Sequence, residues 1–478
     1  MNTPREQLQQ AFQLQMSGQT REAGAAYRDI LESYPDHPEA TRLLGLVALQ
    51  ENRAQEALPL LQKAAELAPG NPLPWDHLCE AMLRLDRQED AADCAEAAVS
   101  RGEGNPQAHP QALLRLASVR LRLKQFDAAE AALGKLMALQ PDFPGARALQ
   151  ADLLFQRGRL EEALEILLEL RQGAQPEADP QVLLGRCLFA LERPDEISKL
   201  PPPADQRTAI GELVLQTMAA WELEDWANCQ EGVQLVTELQ RRCLRELRNP
   251  LFDSLFLYLR NLFAYRETRP EFYTDAPPGE IVVLGDHHAL AAEGVVAEFK
   301  GQKVRLRSKA VLAAQAADIG SGQGPAHAAA LHALAKVLPG ANVAFFFGNL
   351  DCRLSEGLVP QLRDLEPAGR KAEIARVAEA YVAELATQAK LRDLNALVVS
   401  PAPKLIDLTG VGEADRALFE EVNLAFNQAL GAAARSAGLA YVDLHERLKG
   451  PGGETREDVY FDRHRLRPHL FAEIFKGV

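Results

Sequence analysis

The chain has 478 residues, 47% of them hydrophobic and 25% charged, with a formal net charge of −15. That length exceeds what one hydrophobic core organises, so two or more domains are expected. The acidic balance argues against nucleic-acid or anionic-membrane partners, which need basic surface. The six cysteines (Cys79, Cys94, Cys187, Cys229, Cys243 and Cys352) form no CxxC or zinc-like spacing and read as free thiols of a reducing compartment. The start, MNTPREQLQQAFQ, is polar, and no run approaches the roughly 18 apolar residues of a membrane span, so a cytoplasmic protein is expected.

Read from the N-terminus, small or apolar residues recur 34 apart at Ala23, Ala57 and Ala91, then resume at Ala129, Ala163 and Ile197 after a four-residue slip in GEGNPQAHP. A second series runs twelve residues earlier, through Ala11, Gly45, Cys79, Ala117, Ala151 and Gly185. Pro35, Pro69 and Pro141 close the units. Each unit reads as two amphipathic helices in which small residues let the pair approach closely. Tyr27, Leu61, Leu133 and Leu167, at the fourth position after the small residue, are expected to fill the gap to the next hairpin. One hairpin cannot bury its apolar face alone, so the units must stack.

Segments such as LLGLVALQENRAQEALPLLQKAAELAPGNP and LQADLLFQRGRLEEALEILLELRQ carry this pattern, and it resembles the tetratricopeptide repeat (TPR) family. The resemblance covers about 1–200, and a degenerate seventh unit with MAAWELEDWANCQEGVQLV extends it to about 240; the prolines at 201–203 cut short the second helix of the sixth. It implies an all-α solenoid over 1–240 whose groove, lined by the first helix of each hairpin, holds a protein or peptide.

Beyond it, NPLFDSLFLYLRNLFAYRETRPEFY reads as a long apolar helix and a loop, a helical connector over 241–278. From 279 onward, short apolar runs (EIVVLG, KVRLRS, NVAFFFG, ALVVS, LAYVDL) alternate with helical stretches such as RKAEIARVAEAYVAELATQAK. Alternation of this kind predicts an α/β domain over 279–478 with a parallel sheet, helices on both faces and a site at the strand C-termini. Polar residues gather at those ends: Asp286, His287 and His288 in GDHHAL, Asn349, Asp351 and Arg353 in GNLDCR, and Asp462, His464 and Arg465 in DVYFDRHRLRPHL. Gly322 and Gly324 in GSGQGPAH offer backbone N–H groups to a ligand.

In order and spacing these blocks resemble the SGNH (GDSL-like) hydrolase superfamily over about 279–470, which implies a flavodoxin-like three-layer fold. The departures bear on chemistry. Where the family has its nucleophilic serine the chain has His287, and where it has its base the chain has Arg465, with His464 one step early. Serine-ester hydrolysis needs a hydroxyl beside an imidazole, and arginine does not act as a base because its pKa exceeds about 12.

Three readings stay open for the cluster. The first is a binding-only remnant with Asp286, His287, Asp351, Asp462 and His464 in the former catalytic places and His288, Gly322, Gly324, Asn349, Arg353 and Arg465 toward the ligand. The second is altered chemistry through His287 or His464, and the third is a metal held at the strand ends. The blocks do not match metallophosphoesterase patterns, because Ala289 and Leu350 stand where ligands are needed. No metal or cofactor is assigned.

Asn349 also reads as a helix cap, Asp351 and Arg353 as a structural pair, and Trp75 as core. The reading that results is a protein-binding TPR adaptor fused to a non-hydrolytic domain for a carbohydrate or acyl ligand. The alternative is an ester, acyl or glycan hydrolase or transferase acting on a protein recruited by the repeats. Convergence of His287, Asp351 and His464 would favour the enzyme.

Overall fold

The computed structural model describes residues 3–172, 181–201, 203, 208–242, 249–274, 277–403, 410–450, 452, 454–462 and 465–478. The chain divides into two compact units, Met1–Leu153 and Leu154–Val478. Compactness thus places a boundary inside the repeat region, whereas the limits read from the sequence (1–240, 241–278, 279–478) follow the type of element.

In the first unit, helices pair as Pro4–Met16 with Thr20–Ser33, Pro38–Gln50 with Ala54–Leu67, Pro72–Arg84 with Gln88–Gly102, and Ala108–Arg122 with Phe126–Leu139. Pro4, Pro38 and Pro72 open three of the first helices, where a missing N–H costs nothing and the fixed φ suits the helix. Thr3 and Glu6 form a capping box, and Asn71 accepts the Leu73 N–H at 3.0 Å.

Both small-residue series are buried throughout, from Ala11 and Ala23 to Gly185 and Ile197. Close packing is the reason. A Cβ on Gly45 would lie 2.8 Å from the Leu61 side chain, and one on Gly185 would lie 2.9 Å from Leu215. Leu61 therefore fills the space inside its own hairpin, not only the gap to the next one.

The turn between the two helices of each hairpin carries a residue in the left-handed region: Gly18, Asn52, Asp86, Lys124, Gly158, Glu192 and Glu224. Only two of these are glycine, so the hairpin imposes a conformation that most side chains adopt at some cost.

The second unit holds helices Leu160–Gln172, Gln181–Ala190, Ala209–Glu222, Trp226–Arg242 and Pro250–Thr268, with Pro194–Ile197 as a single turn. A six-stranded sheet follows: β1 Gly279–Gly285, β2 Val296–Phe299, β3 Gln302–Ala310, β4 Asn342–Phe346, β5 Asn395–Val399 and β6 Ala440–Val442. Their order is β2-β3-β1-β4-β5-β6. All neighbours are parallel except β2 and β3, so the sheet is mixed and the expectation of a wholly parallel sheet is corrected. The antiparallel edge is a hairpin turned by Lys300 and Gly301, both at positive φ, in the sense that matches strand twist. Four residues of β2 were too few to register as a strand beside the longer run that follows.

One face of the sheet is packed by Pro367–Leu391 and Glu413–Ser436 around Phe345, Phe347, Tyr381 and Phe426, all fully buried. This core fixes β1 and β4 side by side, with Gly285 opposite Phe346.

Candidate functional site

Strands β1 and β4 end together, and the polar cluster grows out of that juxtaposition. Asp286 N–H donates to the Phe346 carbonyl at 3.3 Å. Gly285 has no room for a side chain, since a Cβ there would sit 2.3 Å from the same carbonyl oxygen. The chain then tightens into a 3-10 turn, His287–Ala292, capped by Asp286.

Asp286 lies at the centre. Its Oδ1 accepts the His288 backbone N–H at 2.9 Å and pairs with His288 Nδ1 at 2.8 Å, while Asn349 Nδ2 donates to Oδ2 at 3.1 Å. Burial works against its charge, but the His288 ring and these hydrogen bonds outweigh it and hold the carboxyl well below the usual range. An ionised Asp286 only accepts, so His288 carries its proton on Nδ1. Asn349 also accepts the Ala402 N–H at 3.2 Å, so it ties β1 to the segment after β5 instead of capping a helix.

His287 is buried, with its ring centroid 4.2 Å from that of His288 and 6.2 Å from that of Tyr258. Tyr258, on helix Pro250–Thr268, is a member the sequence did not reveal, because nothing in its apolar helix sets it apart. It donates to the Leu466 carbonyl at 2.9 Å, and burial pushes its hydroxyl well above the normal range. It thereby links the cluster to the C-terminal block. There Asp462 accepts the Arg465 N–H at 2.9 Å and pairs with its guanidinium, which also reaches Ser254 Oγ at 3.0 Å. His464 lies outside the described residues.

The remaining predicted site residues have partners of their own. Both Asp351 oxygens take backbone N–H groups, of Ala316 at 2.7 Å and Ala317 at 3.1 Å, at the start of helix Ala316–Gly320. Burial still pushes its carboxyl up to about 7 against those bonds. Arg353 pairs with Glu356 at 2.6 Å, not with Asp351. Gly322 and Gly324, both at positive φ, turn the chain into helix Gly324–Ala335, and the Gly324 carbonyl packs against Gly158. Trp75 is half-buried under the Arg101 guanidinium, 4.4 Å from the ring centroid.

Asp286, His287 and His288 are also the group among the described residues whose ligand atoms, all within 4.8 Å of one another, could hold a metal. The carboxylate of that group is already taken up by three donors. The arrangement orients an imidazole and fastens three strand ends. It offers no hydroxyl at 287.

The chain is, by fold, a helical-repeat protein joined to a mixed-sheet α/β region. Models of the tetratricopeptide repeat family match residues 14–72 and 120–179, and the N-terminal region is built of those repeats. No curated protein matches the chain. Among solved structures it is similar to a tetratricopeptide repeat protein from Parabacteroides merdae, with 16% identity over 54% of this chain and 99% of the other and a TM-score of 0.43. It is also similar to PilF of Pseudomonas aeruginosa (21%, 40% and 86%, TM-score 0.36) and to a TPR protein of Thermus thermophilus (25%, 39% and 100%, TM-score 0.33). Among the described residues, no helix is long and apolar enough to cross a membrane.

Proposed function

We propose that the chain is a protein-binding adaptor, in which the repeat hairpins over 1–240 hold a protein or peptide segment. The α/β part, 279–478, is read as an SGNH-hydrolase-like domain that binds without hydrolysing, with 241–278 as connector. The observation that carries this reading is the pair of repeat-family matches over hairpins whose small-residue positions are buried throughout. For the second domain, support comes from Asp286 and Asn349 standing hydrogen-bonded at the ends of adjacent parallel strands, with an imidazole where the nucleophile would be. Arg465, in the base position, is engaged by Asp462 and Ser254.

The ligand class for that domain is a carbohydrate or acyl group, with no metal or cofactor. A cytoplasmic setting belongs to the same reading, supported by free, buried thiols at Cys79, Cys94 and Cys229 that burial pushes up to about 12, 11 and 12.

The test uses the full chain as bait on a peptide array. Leu46 and Glu80 stand at equivalent places on successive first helices, both half-buried. Binding that falls at least about tenfold in the Leu46→Ala, Glu80→Ala variant and persists in His287→Ala is expected; about 1.4 kcal/mol separates those outcomes. Loss of binding in His287→Ala with none in the other variant would move the partner site to the α/β domain. Hydrolysis of a short acyl ester that disappears in His287→Ala would overturn the non-hydrolytic reading.

A further inference from the structure

Within the second unit, helix Ala209–Glu222 meets strand β3 through ionisable groups drawn from four elements. Glu192 follows helix Gln181–Ala190, Glu222 ends its own helix, Glu293 follows the turn after β1, and Lys309 lies on β3. Lys309 Nζ pairs with Glu192, whose backbone carbonyl also accepts from Lys336. Glu293 is balanced separately: it accepts the Ser308 N–H at 2.7 Å and Arg307 Nη1 at 3.0 Å. Glu224 takes Arg305 and, at 2.7 Å, Arg307, which also faces Glu280 at 3.7 Å.

The Lys309 ammonium is thus paired with Glu192, and it reaches Glu222 through its charge alone. Glu222 is half-buried as a residue and its carboxylate meets the Ala310 N–H, but one of its oxygens, Oε1, is buried without a hydrogen-bond partner. An ionised carboxylate in that position would be under-compensated, and a protonated one would not. Beside it, Trp221 is fully buried and donates from Nε1 to the Leu290 carbonyl at 3.1 Å, which makes it a native reporter of the contact.

We propose that this cluster is a proton-operated latch, in which protonated Glu222 keeps helix Ala209–Glu222 seated on β3 and its ionisation unseats the helix. Burial first, then the Glu192 charge, pushes Glu222 up to about 8 against the pull of Lys309, and burial pushes Glu293 up to about 7. An unseated glutamate ionises near 4.5. A group whose seated value is raised contributes fully below the unseated value, and its contribution fades as pH rises to the seated one. The latch is closed in mild acid and loosens toward pH 8.

The test is hydrogen exchange of the full chain between pH 6 and 9, corrected for intrinsic exchange, with tryptophan emission read in parallel. Protection of helix Ala209–Glu222 is expected to fall at least about tenfold with a red shift in emission, while helix Ala54–Leu67 in the same sample stays level. Glu222→Gln keeps the shape of the protonated acid and should abolish the change. Glu192→Gln removes the neighbouring charge and should move the midpoint to lower pH, and it decides the matter alone if E222Q fails to fold. A wild-type profile flat over this range, an E222Q profile that follows the wild type, or an unmoved midpoint in E192Q overturns the latch.

Discussion

The repeat hairpins of the first unit and the strand ends of the α/β region solve opposite problems. In the hairpins, specificity is spread over many small apolar positions, each buried and each doing a little. At the strand ends it is concentrated in a few buried polar groups, with Asp286 serving three donors at once. The first arrangement tolerates change at any single position. The second does not, because an unmet donor in a buried place costs more than a lost apolar contact.

The largest test of that contrast is Asp286→Ala. It strands the His288 N–H, His288 Nδ1 and Asn349 Nδ2 in a buried setting, and a loss of about 3–5 kcal/mol is expected in denaturant unfolding. A loss below about 1 kcal/mol would show that the tie is not structural.

Next comes a matched pair of glycines. Gly285→Ala sets a methyl 2.3 Å from a backbone oxygen that cannot retreat, and about 3 kcal/mol is expected. Gly45→Ala meets the Leu61 side chain at 2.8 Å, which can turn away, so about 1 kcal/mol is expected. Equal losses would erase the distinction drawn between the two regions.

A pH series sharpens it further. Because the Asp286 carboxyl is held low when folded, its contribution is present above about 3.8 and is lost as pH falls toward the folded value. The slope of unfolding free energy against pH below about 4 should be shallower in Asp286→Asn than in wild type. The smallest effect is expected at the exposed Lys63–Asp36 pair, 3.1 Å apart, where Lys63→Ala should cost less than about 0.5 kcal/mol.

Much of the array was legible because its period is written in residues that must be small or buried, and a 34-residue spacing exposes them without knowledge of any contact. The left-handed turn residues went unnoticed: Asn52, Asp86, Lys124 and Glu192 share no chemistry, only a place in the period. In the α/β region the strands around Val283, Phe345 and Val398 were plain from apolar runs. The meeting of Asp286 with Asn349 followed from adjacent strand ends, whereas the fate of Asp351 did not. Its partners are main-chain N–H groups of Ala316 and Ala317, which no side-chain pattern announces. Tyr258 was invisible for the converse reason, as one aromatic in a helix full of them.

The turn series has a consequence for how such a chain can grow. Gly18, Asn52, Asp86, Lys124, Gly158 and Glu192 keep step apart from the four residues gained between the third and fourth hairpins, a gain shared between the linker at 103–107 and the facing ends of helices Gln88–Gly102 and Ala108–Arg122. Length is therefore editable in whole modules or where one hairpin runs into the next, at the linker and the helix ends beside it. Duplicating Pro38–Leu67 with its linker would give a longer protein in register, while one extra residue inside Ala54–Leu67 would turn Ala57 and Leu61 off their shared face and spoil that hairpin alone.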